Sequence, residues 1–337
     1  MPRSLRWRAA AEVRLLCLAL LAGACAPVAR IDQAAIQKPA PTVAPTVVAG
    51  GVTALPIPSR SALDGPYPRF RDAQSGLVTI LGTPDLGTGK QRVSFVPSNA
   101  EGLVRLPVLQ FESFRFEAGP TGASGPPVAG GIAKFYPFPA DTRGLYVATV
   151  DFDRAGTWGL RVSVPQPDGT VLLTLFAFEV RAAAKAPAVG APAPRSRNRT
   201  VASTPLAELS TGSTPDASLY QSTLADAIDA RRPTVVVFAS PGFCTNALCG
   251  PQVEMLSDLR GSYGDRAAFI HVELYENPSA VRDRGLDAAV RSPVLREWGL
   301  ETDEWTFVID ADGAVAARFE GFAPREEVES ALRAVLG

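Results

Sequence analysis

Apolar residues recur in short bursts between residues 70 and 182. Gly76 to Leu81, Arg92 to Val96, Val108 to Phe116, Ile132 to Tyr136, Leu145 to Phe152, Trp158 to Val164 and Val171 to Val180 are rich in Val, Phe, Leu and Tyr. Turn residues such as Pro84-Asp85-Leu86-Gly87 and Pro167-Asp168-Gly169 separate them. Several short strands at this spacing predict an all-β unit, an antiparallel sandwich. In the run Gly144 to Phe152, Leu145, Val147, Thr149 and Asp151 share one face. Tyr146, Ala148, Val150 and Phe152 share the other, which is the expected core side.

From about residue 205 the pattern changes to alternating helix and strand. Leu219, Leu224 and Ile228 lie near one face of a helix predicted over Leu219 to Ala230, which Arg231-Arg232-Pro233 ends. Thr234 to Ala239 is a continuous apolar run, as in a strand covered on both faces. The segment Ser240 to Pro251 then leads into a helix to about Tyr263, with Val253, Leu256 and Leu259 on its buried face. Ala267 to Glu273 reads as a second strand and Ser292 to Trp298 as a short helix. Trp305 to Asp310 and Ala314 to Phe319 form a predicted hairpin around Ala311-Asp312-Gly313. Pro324 to Leu336 is a closing helix with its proline near the first turn.

Composition divides the chain further. Its 337 residues suffice for two domains and some linker. A net charge of −1 argues against nucleic acid as a partner. A single histidine, His271, leaves multi-histidine metal sites and histidine relays almost no room. Arg3, Arg6, Arg8 and Arg14 precede a short apolar run, Leu15 to Leu21, and then small residues. This reads as a cleaved signal over residues 1–24, because the run is about half of the ~20 residues that span a bilayer. Leu21-Ala22-Gly23-Ala24-Cys25 resembles a bacterial lipobox, with Ala22 where Leu is usual, and implies lipid attachment at Cys25. Residues 25–69, rich in Ala, Pro, Val and Thr, are a tether. Residues 183–204 are a second linker carrying Arg195, Arg197 and Arg199, read as solvated, and an Asn198-Arg199-Thr200 sequon read as chance. The expected location is the cell envelope, outside the cytoplasm and lipid-anchored to a membrane.

Two family resemblances bear on the folded parts. Asp151 to Trp158 resembles the late hairpin of immunoglobulin-like extracytoplasmic domains, where a Gly turns the chain and a Trp packs inside; this implies an immunoglobulin-like sandwich over 70–182. Residues 205–337 resemble thioredoxin, and more narrowly the TlpA-like extracytoplasmic relatives, which implies an α/β thioredoxin-like domain. The motifs are the strand Val235 to Ala239 leading into a cysteine loop, Phe243 before Cys244, Glu276-Asn277-Pro278, Trp298-Gly299-Leu300, Asp312-Gly313 and Gly321. The family's cis-Pro, which faces the cysteines, falls by alignment on Glu304 or its neighbours Asp303 and Trp305, and no Pro is present. The family's buried acid is replaced by an apolar residue, Val237. A proton acceptor for the resolving thiol would then have to come from Glu304.

The chemistry rests on Cys244 and Cys249, the pair left after the two cysteines of the N-terminal 25 residues. Export places them where disulfides persist. Exchange needs one ionised thiol, favoured at a helix N-terminus, and a second that can reach it. On a regular α-helix, Cα atoms five residues apart lie about 8.6 Å from each other, whereas a disulfide needs less than about 7 Å. If bonded, Cys244 therefore sits in the loop and Cys249 at or near the helix start. Three functions stay open. The first is thiol–disulfide exchange with Cys244 and Cys249 catalytic, in either order, and envelope protein thiols or disulfides as partners. The second is a non-catalytic envelope binding protein with a structural disulfide. The third is copper handling similar to Sco-type chaperones, which use two Cys and one His; His271, 22 residues after Cys249, reads instead as a strand residue with a satisfied hydrogen bond. A peroxiredoxin-like reading of Phe-Cys-Thr-x-x-Leu-Cys ranks lowest, since Pro241 stands where that family needs Thr. No cofactor and no resident metal is assigned.

Overall fold

The apolar bursts of residues 70–182 form strands: β1 (Arg69–Arg71), β2 (Val78–Leu81), β3 (Leu86–Gly87), β4 (Gly89–Asn99), β5 (Gly102–Leu103), β6 (Val108–Arg115), β7 (Ala129–Pro137), β8 (Gly144–Phe152), β9 (Gly156–Pro165) and β10 (Val171–Arg181). The structure, a computed structural model, describes residues 67–117, 124–139, 143–244 and 248–337. The signal segment, Cys25 and the tether up to residue 66 lie outside the described residues. The ten strands make one sheet in the order β1-β2-β4-β8-β7-β6-β9-β10-β3, with β5 on β4. The sheet curls until its ends meet. Phe70 on β1 lies 6.1 Å from Phe176 on β10, and the hydroxyls of Thr79 and Thr174 are 2.9 Å apart. Inside the curl Phe95, Tyr146, Phe152, Trp158, Phe176 and Phe178 pack as one buried cluster.

The second half holds a four-stranded mixed sheet, β12 (Ala268–Glu273), β11 (Thr234–Ala239), β13 (Trp305–Ile309) and β14 (Val315–Glu320), in that order. β11 runs parallel to β12 and antiparallel to β13, and β13 pairs antiparallel with β14. All six residues of β11 are buried, as a run with no polar alternation requires. Among the described residues, five α-helices accompany the sheet: α1 (Leu224–Asp229), α2 (Cys249–Tyr263), α3 (Pro278–Arg284), α4 (Pro293–Glu297) and α5 (Arg325–Leu336). Thr223 and Asp226 cap α1 reciprocally, each side chain taking the other's backbone N–H.

These observations correct the expected fold class on both counts. The described residues are mostly β and only about 22% helical, so the α/β thioredoxin-like domain expected for 205–337 is not what they form. One strand pair of the small sheet is parallel, and the helix expected over Leu219 to Ala230 is a 3-10 turn followed by the six residues of α1. Nor do residues 70–182 form an immunoglobulin-like sandwich, because their strands are hydrogen-bonded into a single curled sheet. The physical reason is the same in both cases. Side-chain periodicity specifies which residues face a core, not which strand lies beside which.

All described residues belong to one unit, Val52–Gly337, and polar and apolar contacts join its two halves. The outer face of β8 is not solvated: Leu145 and Val147 pack with Leu248 and Phe322. Asp85 is the polar centre of the junction. Its carboxylate accepts from Arg181, Arg318 and the N–H groups of Lys185 and Ala186, while its own N–H donates to Glu320. Arg92 pairs with Glu327 at 2.9 Å. The stretch 183–204 lies on the molecule, with Ala186, Ala193, Ser196 and Asn198 buried. Gly190 and Ala193 donate to Val315 and Gly313, and Asn198 Oδ1 accepts from the N–H of Leu224.

Candidate functional site

Strand β11 delivers the chain at Ser240 into the cysteine loop, and the loop is tied down from behind by a buried polar network. Gly242 N–H donates to Thr211 Oγ1 at 3.1 Å, and Ser240 Oγ lies 2.8 Å from the same oxygen. Thr211 in turn donates through both N–H and hydroxyl to Glu273 Oε2, at 2.6 and 2.9 Å. Gly242 is required by this approach, because a Cβ there would meet Thr211 O at 2.5 Å. Burial pushes the Glu273 carboxyl up to about 6, against the hydrogen bonds that favour its charge.

Cys244 and Cys249 are joined by a disulfide with a Cα separation of 5.9 Å, below the limit that a regular helix would exceed. Cys244 lies in the loop and is half-buried; Cys249 is the first residue of α2 and is fully buried. No side chain among the described residues caps the start of α2, and its first turn carries no acid. Cys249 Sγ lies 4.0 Å from the Asp303 carbonyl oxygen, and its residue stands at the helix end that carries the partial positive charge of the backbone. Buried Leu256 and Leu259 anchor the helix against β11 and β12. Gln252 fixes its first turn by donating to Ala323 O at 2.9 Å.

Glu304 faces the pair. It stands one residue before β13, its carbonyl accepts from Gly321 N–H at 2.8 Å, and the residue is wholly buried. The two sulfurs and a Glu304 carboxylate oxygen all lie within 4.8 Å of one another. Of the three positions considered opposite the cysteines, Glu304 is thus the one whose side chain reaches them. Asp303 is turned to Arg291, at 2.8 Å, and Trp305 lies under the Arg318 guanidinium, 5.0 Å from its ring centre. The hydroxyl of Tyr67 is held strongly protonated, first by burial and then by the negative charges of Glu304, Glu320 and Asp303.

His271 is not part of this group. Its Nε2 donates to Ala239 O at 3.0 Å, which leaves Nδ1 to accept from the Tyr220 hydroxyl at 2.6 Å. Burial lowers it to about 4, so it is neutral. Val237 is buried on β11, with no carboxyl there. Besides Glu304, a second buried acid of the region is Glu273, at the end of the neighbouring strand, which sequence reasoning passed over. Its signal was a charge closing the mostly apolar run Ala268 to Val272, broken only by His271, in a strand buried along its whole length.

No family model matches this sequence, and no curated protein matches it. Solved structures similar to parts of the chain include the PmoD soluble domain from Methylocystis sp. ATCC 49242 (Rockwell), 18% identical, with 32% of this chain and 94% of that one covered and a TM-score of 0.23. A DUF4426 family protein from Pseudomonas aeruginosa PAO1 is 12% identical, with 34% and 96% covered and a TM-score of 0.22. MtrC from Shewanella baltica OS185 is 15% identical, with 43% and 28% covered and a TM-score of 0.23. Likenesses at these TM-scores assign neither a fold nor a function.

Proposed function

We propose that this chain is an extracytoplasmic, lipid-anchored protein of the cell envelope that exchanges thiols and disulfides through Cys244 and Cys249. The observation that carries the reading is the unequal placement of the two sulfurs: Cys244 is half-buried in a loop, and Cys249 is buried at the start of α2. A partner thiolate then attacks the Cys244 sulfur. The Cys244–Cys249 bond breaks, and its electron pair leaves on Cys249, where the helix end favours the thiolate. A second partner thiol attacks the mixed disulfide and releases Cys244 as a thiol. The partner's two thiols become a disulfide and this chain's disulfide becomes a dithiol. In the opposite direction Cys244 is the nucleophile and Cys249 the resolving thiol. The partners are envelope protein thiols or disulfides, and neither cofactor nor nucleic acid enters the reaction.

The envelope location is argued from the basic, apolar and small-residue order of the first 25 residues, with Cys25 as the site of lipid attachment. Among the described residues, no helix is long and apolar enough to cross a membrane.

The test is equilibration of the native protein with glutathione buffers, followed by trapping and counting of free thiols. Reduction at a potential above about −300 mV is expected, since structural disulfides usually lie lower. A pair that stays oxidised in every such buffer removes exchange as its function. It would leave the disulfide as a structural closure of a small loop.

A further inference from the structure

Three ligand-bearing side chains converge at the disulfide, from a loop, a helix start and the end of a hairpin. A structural cross-link has no use for a carboxyl buried against it, and an exchanging pair needs at most a proton acceptor. The donor set admits something more. Two thiolates and one carboxylate match the ligands of zinc-class dications, which take S, N and O donors in tetrahedral sites and leave one position open where three protein ligands bind.

We propose that, once the disulfide is reduced, the Cys244 and Cys249 thiolates and the Glu304 carboxylate hold a single zinc-class divalent cation, so that metal and disulfide exclude one another. The inference rests on the reading that the pair opens, and a dithiol or phosphine reductant supplies the two electrons. The S–S bond breaks, both sulfurs keep a lone pair for the metal, and the reductant becomes a disulfide or, with water supplying the oxygen and two protons, a phosphine oxide.

Distances support the fit. With metal–sulfur bonds of about 2.3 Å and metal–oxygen bonds of about 2.0 Å, tetrahedral ligand atoms lie roughly 3.3 to 3.8 Å apart. In the oxidised chain the three atoms already lie within 4.8 Å of one another. Closing the site asks the sulfurs to part by under about 2 Å and the carboxylate to approach by about 1 Å. Two of the ligands stand on fixed supports. Cys249 belongs to α2, and Glu304 is held by its backbone pairing with Gly321. Cys244, the half-buried ligand, marks the side from which an ion and the fourth ligand enter. Soft monovalent copper is satisfied by the two thiolates alone, so the carboxylate selects for the harder, divalent ion.

The experiment uses the full chain, reduced with a phosphine and freed of reductant without oxygen. A gain of two free thiols over the oxidised chain is confirmed before Zn2+ is titrated against a chromophoric chelator. One Zn2+ per reduced chain is expected, with none bound by the oxidised chain. Co2+ in its place should show a thiolate-to-metal charge-transfer absorption. Glu304→Gln should weaken Zn2+ at least tenfold, while leaving the number of thiols that the phosphine frees unchanged. A doubly reduced chain that fails to take up Zn2+, or a Glu304→Gln chain that binds it equally well, overturns the proposal. Because a phosphine reduces the pair whatever its potential, either failure is separate from the glutathione result that tests exchange.

Discussion

Single side chains set how the molecule responds to pH. Glu320 is wholly buried and pushed up to about 8 by burial, against hydrogen bonds from the Asp85 N–H and Thr302 hydroxyl and the nearby Arg318 charge. A carboxyl that keeps its proton when folded and loses it when unfolded stabilises the fold fully below its unfolded value. That contribution is lost as pH rises through the folded value. Glu273, at about 6, acts in the same direction over a lower window. His271, lowered to about 4, acts oppositely, and its contribution is lost as pH falls from 6.5 toward 4. The opposing groups overlap below about pH 6.5, so the interval from 6.5 to 8 isolates Glu320. Stability should fall there by on the order of 2 kcal/mol, read as a declining melting temperature, and Glu320→Gln should flatten the decline. A melting temperature level across that interval in the native chain contradicts this assignment.

At the scale of elements, the cysteine loop is positioned by its neighbours. Gly242 sits against Thr211, with no space for a Cβ, and Thr211 is held by Glu273 at the end of β12. A methyl group there must push the loop off its support, a shift worth about 1–3 kcal/mol. Gly242→Ala is expected to lower the melting temperature and to change the rate at which a small dithiol reduces the pair. Equal rates in the two chains would show that Thr211 does not position the loop. The two-faced strand β8 makes the complementary point. Tyr146, Ala148, Val150 and Phe152 enter the core of the curled sheet, as their alternation requires. Leu145 and Val147 belong to the second cluster, with Leu248 and Phe322.

Across the whole molecule, the two halves are joined at Asp85. Its carboxylate and that of Glu320 gather Arg181, Arg318, Thr302 and three backbone N–H groups from both halves. Arg318 is almost fully enclosed, with 11% of its side chain exposed. Removing Asp85 leaves that charge buried without its carboxylate, a loss that costs about 3–5 kcal/mol when a buried pair is broken. Asp85→Ala should therefore lower the denaturant midpoint strongly, whereas removing the exposed Lys134–Glu326 pair should change it by less than about 1 kcal/mol. A midpoint unaffected by Asp85→Ala would show that the halves do not depend on this junction.

The sequence by itself determined the local structure. Its apolar runs specified most of the longer strands, its helix signals specified α2 and α5, and its spacing argument required Cys244 in a loop and Cys249 at a helix start if the two are bonded. Those properties follow from side-chain period and backbone geometry, which act over a few residues. Strand neighbours were not legible, and the expected fold class failed for that reason: the long-range pairings that place β1 near β10 and β11 beside β13 leave no mark in a local pattern. Nor was the surrounding of the pair fully legible. Alignment brought three candidates, Asp303, Glu304 and Trp305, opposite the cysteines. The tertiary structure turned Asp303 to Arg291, set Trp305 beneath Arg318 and directed Glu304 to the two sulfurs. A charge is placed in a core by what the rest of the chain packs around it, here Arg291, Arg318 and Gly321, which no local pattern ties to the cysteines.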